Sequence, residues 1–196
     1  TEGVLPLGAA VPHSSYLPVR ALQQQVAKVT RFHGSQAFGY MFSPGHEPLR
    51  RQVAIRMRDA GVVVAPADVV ITHGCTDAVH MTLRVMTQPG DLIAVESPTY
   101  YGLLQVADLL GLKVIEIPSD ANTGISLEAL QLAASQWSIK ALVLTARVSN
   151  PMGGTLPEAR QRELLRLAES HDLQIIEDDI YGELMFDEGA SRALKA

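Results

Sequence analysis

From Asp68 onward the chain alternates short, unbroken apolar runs with stretches of helical character. That alternation restricts the folds open to it more than any other feature. The runs occupy residues 69–72, 92–95, 114–117, 141–145 and 173–176, and the helical stretches fall at 76–87, 99–110, 127–136 and 157–171. A strand with one face in water alternates polar and apolar residues, whereas a strand covered on both faces is apolar throughout. Such strands, alternating with helices, specify an α/β fold of three layers, a mostly parallel sheet with helices on both faces. In sheets of this kind ligands bind beyond the carboxyl ends of the strands. The residues to inspect are therefore those just past each run: Gly74, Tyr100, Asn150 and Asp178.

Two further helices precede this region. Leu17, Val19, Leu22, Val26 and Val29 recur at a helical period, with Pro18 suited to a first turn. A second helix is expected after Pro48, ending at Gly61. Residues 38–45, rich in glycine and aromatics, read as a loop between them.

Composition narrows the function classes. A chain of 196 residues buries roughly 70% of its unfolded surface, enough for one well-formed domain. A net charge of −5 leaves no footprint for gripping a polyanion, so DNA binding by a longer protein would fall to another segment. Cys75 is the single cysteine, which excludes an intramolecular disulfide and fits a reducing cytoplasm. The chain lacks an uninterrupted apolar run of about 18 residues, and the expectation is a soluble, cytoplasmic protein. A nucleotide-binding reading lacks support, because neither Gly-x-Gly-x-x-Gly nor Gly-x-x-x-x-Gly-Lys-Ser/Thr follows a strand.

The chemistry is concentrated in two motifs. Ile175-Ile176-Glu177-Asp178-Asp179-Ile180-Tyr181 is an apolar strand running into an acidic triplet with a tyrosine in Asp-x-x-Tyr spacing, and Asn150-Pro151-Met152-Gly153-Gly154 precedes it. A carboxylate at a buried strand end favours the charged form of a ring nitrogen beside it. A pyridine cofactor used as an electron sink requires such a partner. An amide and a phenol on neighbouring loops have the groups to hydrogen-bond a phenolic oxygen on the same ring. Glu177 and Asp179, flanking Asp178 in an extended segment, are expected to point to the opposite side or to a loop.

With these motifs stand Leu7-Gly8-Ala9-Ala10-Val11-Pro12, Gly39-Tyr40, Gly45-His46-Glu47-Pro48-Leu49-Arg50, Ile71-Thr72-His73-Gly74, Pro89-Gly90-Asp91 and Glu96-Ser97-Pro98-Thr99-Tyr100. In this order the set resembles the fold-type-I, class I/II aminotransferases that use pyridoxal 5'-phosphate. It most resembles the aminotransferase-like effector domain of MocR-type transcriptional regulators, GntR-related proteins that join such a fold to a DNA-binding domain. The alternative is a free-standing class I/II aminotransferase moving an amino group between an amino acid and a 2-oxo acid.

The resemblance implies the large-domain fold of aspartate aminotransferase, in incomplete form. Residues 1–50 would be an N-terminal arm and helix, and 51–196 the cofactor-binding large domain, truncated before the small domain and before the Schiff-base lysine. No catalytic residue is then expected within the chain. Gly74, Cys75 and Thr76 would hold the cofactor's phosphate, Tyr100 would stack on its ring, and Asp178 would face the pyridine nitrogen. Asn150 and Tyr181 would reach the phenolic oxygen, and Tyr40 would cross to the phosphate of a second subunit in a homodimer. An amino acid or amine is the implied ligand, and no metal site is expected. Ala10 departs from the glycine that many family members carry two residues before the N-terminal proline.

Overall fold

The computed structural model describes residues 12–186 and 192–196; most of the Leu7–Pro12 motif, including Ala10, lies outside the described residues. The chain divides into two compact units, Thr1–Phe42 and Ser43–Ala196. In the first, a single 3-10 turn at Ser14–Tyr16 precedes helix α1 (Val19–Ala37), whose regular backbone is interrupted at His33. Leu22, Val26 and Val29 lie along α1 at the expected period and are exposed.

The second unit opens with α2 (Glu47–Asp59), whose Pro48 sits in the first turn where a missing N–H costs nothing. The unit then alternates as expected: α3 (Cys75–Met86), β1 (Leu92–Ser97), α4 (Tyr101–Leu109), β2 (Lys113–Asp120), β3 (Gly124–Ile125), α5 (Leu127–Gln136), β4 (Ile139–Leu144), α6 (Glu158–Ser170) and β5 (Gln174–Glu177). α5 begins where Ser126 accepts a hydrogen bond from the Ala129 N–H, a side-chain cap that supplies one of the acceptors a helix start lacks.

The strand expected at 69–72 does not form. Val69 keeps an extended backbone, but the Ile71 N–H bonds to the Pro44 carbonyl, and among the described residues no strand pairs with this segment. An apolar run gives a strand its residues; only a neighbouring ladder makes it one.

The sheet has the order β3-β2-β1-β4-β5. β1 runs parallel to β2 and β4, β4 runs parallel to β5, and only the short β3 is antiparallel. Successive residues of a strand face opposite layers. Ile93 and Val95 of β1, with Ala141 and Val143 of β4, pack toward Leu83 of α3 and Val106 of α4. Ala94, Leu142 and Leu144 pack the other way, toward Leu130 of α5 and Leu164 of α6. The two cores explain why residues 93–95 and 141–144 are apolar without a break. They also leave the carboxyl ends of β1, β2, β4 and β5 along one edge, so the loops that follow them emerge together.

Candidate functional site

At that edge the β4–β5 register pairs Leu144 with Glu177, so Thr145 and Asp178 leave the sheet side by side. The Asp178 N–H still bonds to the Leu144 carbonyl at 2.9 Å, which fixes its backbone to the end of the ladder. Its Oδ1 accepts from the Ile180 N–H and from the Cys75 thiol, each at 3.2 Å. Among the described residues no cation pairs with this carboxylate.

The thiol contact brings the start of α3 to Asp178. Gly74 caps that helix at φ 106°, a backbone that L side chains rarely adopt, and a Cβ there would have open space around it. Glycine is demanded by the dihedral alone, and the space beside the helix start stays clear. Among the described residues no side chain caps the helix start, and the Cys75 and Thr76 N–H groups, which have no acceptor within the helix, form the positive end of its dipole. Burial, and then the hydrogen bond to Asp178 and its charge, push the Cys75 thiol up to about 12. The thiol therefore keeps its proton and donates a hydrogen bond to Asp178.

Asn150 follows β4 in a turn closed by the Gly153 N–H to Ser149 carbonyl bond at 2.6 Å and the Ser149 N–H to Gly154 carbonyl bond at 2.8 Å. Its side-chain amide has no hydrogen-bond partner among the described residues, and neither has the half-buried Tyr181 hydroxyl. Tyr100 lies just beyond β1, with its ring folded over Gly102 and 4.8 Å from the ring of Tyr101. Tyr40 belongs to the first unit and is almost wholly exposed. As expected, Glu177 and Asp179 turn away from Asp178: Glu177 accepts from the Leu194 N–H at 2.9 Å, and Asp179 reaches Arg147 on the loop after β4.

Two groups at this edge escaped the sequence reading. Glu96, at the end of β1, is 3% exposed and accepts the Thr145 N–H at 2.8 Å, tying β1 to β4 directly behind Asp178. Burial raises its carboxyl to about 7, against the opposing pull of the Thr145 bond and with a further push from the Asp178 charge. Arg147 is buried as well. The Glu-Ser-Pro-Thr-Tyr motif pointed to the first, but nothing local in the sequence marks Arg147.

The fold is that of a three-layer α/β domain whose sheet edge gathers a helix start and a carboxylate that, among the described residues, have neither a side-chain cap nor a cation. The chain belongs to the family "Aminotransferase class I and II", whose model matches residues 4–195. It is 42% identical to the "Uncharacterized HTH-type transcriptional regulator YjiR" of Escherichia coli strain K12 over 183 residues, 93% of this chain and 39% of that protein. Among solved structures it resembles an archaeal alanine:glyoxylate aminotransferase with a TM-score of 0.88 at 29% identity, over 95% of this chain and 47% of that one. It also resembles LysN, the alpha-aminoadipate aminotransferase of Thermus thermophilus, solved with N-(5'-phosphopyridoxyl)-L-leucine, with a TM-score of 0.80 at 27% identity over 87% of this chain and 42% of that one. The chain thus spans less than half the length of these relatives. Among the described residues no helix is long and apolar enough to cross a membrane.

The state of Glu96 sets a pH dependence. Folded, it keeps its proton up to about pH 7; unfolded, it releases it near 4.5. Between those values the folded state binds more protons, so this contribution is complete below pH 4.5 and is lost as pH rises through 7. At about 1.4 kcal/mol per pH unit, the loss amounts to roughly 3 kcal/mol over the window. Glu177, raised by burial, adds to it in the same sense. Urea titrations of the cofactor-free protein between about pH 4.5 and pH 7 are expected to show stability falling as pH rises, and Glu96→Gln to flatten the slope; an unchanged slope in Glu96→Gln would assign it to other groups.

Proposed function

We propose that the chain is the pyridoxal-phosphate-binding, aminotransferase-like effector domain of a MocR/GntR-type transcriptional regulator. The observation that carries the reading is the Asp178 carboxylate, fixed at the end of β5 beside the start of α3, with no cation to balance it among the described residues. A carboxylate left there without a positive partner fits a group that brings one, and a protonated pyridine nitrogen does. When bound, the cofactor would supply an electron-poor ring that draws electrons from an attached amino group.

The chain's own residues then have distinct tasks. Asp178 would accept from the ring nitrogen and keep its proton in place. Gly74, Cys75 and Thr76 offer backbone N–H groups, and Thr76 a hydroxyl, to a phosphate at the positive end of α3. The amide of Asn150 and the hydroxyl of Tyr181 would donate to the phenolic oxygen, and the Tyr100 ring would stack on the pyridine, a contact worth roughly 1 kcal/mol beyond burial. Tyr40 would reach the phosphate of a second copy in a homodimer. The ligand sensed is an amino acid or amine, and DNA is bound through a separate N-terminal domain.

The identity to YjiR and the net charge of −5 favour a regulator whose DNA contacts lie outside this chain. The structural likeness to aminotransferases supports a second reading, a free-standing enzyme transferring an amino group to a 2-oxo acid. The coding sequence upstream of Thr1 separates the two: a winged-helix DNA-binding domain is expected, and an upstream segment without one would favour the enzyme.

Cofactor titrations test Asp178 itself. In the full-length protein Asp178→Ala is expected to weaken pyridoxal phosphate binding by roughly 3–5 kcal/mol, the cost of removing one member of a buried charge pair. Asp172→Asn, at the opposite end of β5, is expected to bind as the wild type does. Equal affinities for Asp178→Ala and the wild type would show that another group holds the ring.

A further inference from the structure

Among the described residues an ion pair, Arg147–Asp179, joins the loops that carry the proposed ring-facing groups. Arg147 lies three positions before Asn150, and Asp179 lies between Asp178 and Tyr181. The Arg147 Nε donates to Asp179 Oδ1 at 2.8 Å, and its Nη2 pairs with Oδ2. A two-pronged contact of this kind fixes orientation as well as distance, because the planar guanidinium matches both carboxylate oxygens at once. The Arg147 side chain is only 7% exposed.

Both sides of the pair are held. Beyond Arg147 the chain passes through Val148 at φ 55°, a left-handed backbone that a β-branched residue adopts at a cost. Such a conformation persists only where its surroundings over-determine it. Here the Val148 N–H bonds to Thr155 Oγ1 at 3.2 Å, and the Ser149–Gly154 turn closes beyond it. Across the pair, the 3-10 turn Gly182–Leu184 follows directly on Tyr181. Gly182 lies so close that a Cβ there would run into Arg147 Nη2 and Asp179 Oδ1. Its φ is not among the positive ones, so closeness to the pair, rather than backbone freedom, demands the glycine.

We infer that Arg147 and Asp179 are positioning residues: their ion pair sets the spacing of Asn150 on one loop against Asp178 and Tyr181 on the other, and so shapes the ring-binding site without touching the ring. This rests on the proposed cofactor site and adds to it the device that holds its parts in register. An ion pair taken out of water is a poor source of net stability compared with apolar side chains of similar volume. What it supplies is geometry. Lysine at 147 keeps the charge and loses the fork, so Arg147→Lys does not preserve the arrangement.

The test separates geometry from stability. Gly182→Ala drives a methyl group into the pair while removing neither charge, and Asp179→Asn removes one charge while keeping the shape; the second gives the same readout if the first does not fold. In the full-length protein, pyridoxal phosphate affinity, the pH dependence of the bound cofactor's absorbance, and Tm are measured for each. Both variants are expected to bind about tenfold more weakly, a change of about 1.4 kcal/mol. The absorbance of the bound cofactor is expected to titrate at higher pH, because the donors to the phenolic oxygen have moved off. Variants with lower Tm but unchanged affinity and absorbance would show that the pair only stabilises the fold, and would overturn this inference alone. A wild-type protein that does not take up the cofactor would overturn the proposed function and this inference with it.

Discussion

Burying a parallel sheet on both faces is the constraint on which the rest of this unit depends. β1 and β4 have no face to spare for water: Ile93, Val95, Ala141 and Val143 meet one pair of helices, and Ala94, Leu142 and Leu144 meet the other. Parallel strands covered in this way return by helices, so β1, β2, β4 and β5 all finish at the same edge. The Leu144–Glu177 register then leaves Thr145 and Asp178 adjacent, and the helix that starts at Cys75 comes within a hydrogen bond of Asp178. The site is a consequence of the core before it is a set of side chains.

That edge is electrostatically one-sided. Glu96 and Asp178 end neighbouring parts of the sheet, and burial keeps a proton on Glu96 up to about pH 7. The Cys75 thiol, pushed up to about 12, contributes a donor and no charge. Arg147, the cation of the loop after β4, is engaged by Asp179. Asp178 is thus a carboxylate without a cation among the described residues, while the start of α3 nearby favours a negative group. A ligand with a cationic ring atom and an anionic substituent satisfies both ends, which pyridoxal phosphate has the chemistry to do.

Much of this was legible in the sequence, and what was not has a physical reason. The unbroken apolar runs located β1, β2, β4 and β5, and α5 falls on the expected residues because Ser126 and the apolar period of Leu127, Leu130 and Ala133 act locally. The helix start after Gly74 and the acidic strand end at 178 were likewise readable, since a helix start and a strand terminus leave local marks. Residues 69–72 carry the same apolar signal but have no partner strand among the described residues, and pairing is not a local property. Glu96 and Arg147 were missed because a charged residue near a strand end ordinarily lies in water, and only the meeting of distant segments, Glu96 with Thr145 and Arg147 with Asp179, buries them.

The central claim is that Asp178 holds the cofactor's ring nitrogen in its protonated state. It is tested most directly by nitrogen NMR of the full-length protein loaded with pyridoxal phosphate labelled at the pyridine nitrogen. The chemical shift is predicted to be that of a protonated nitrogen in the wild type, across neutral pH, and that of a neutral nitrogen in Asp178→Asn. A neutral nitrogen in the wild-type protein, or a protonated one that persists in Asp178→Asn, would contradict the assignment of Asp178.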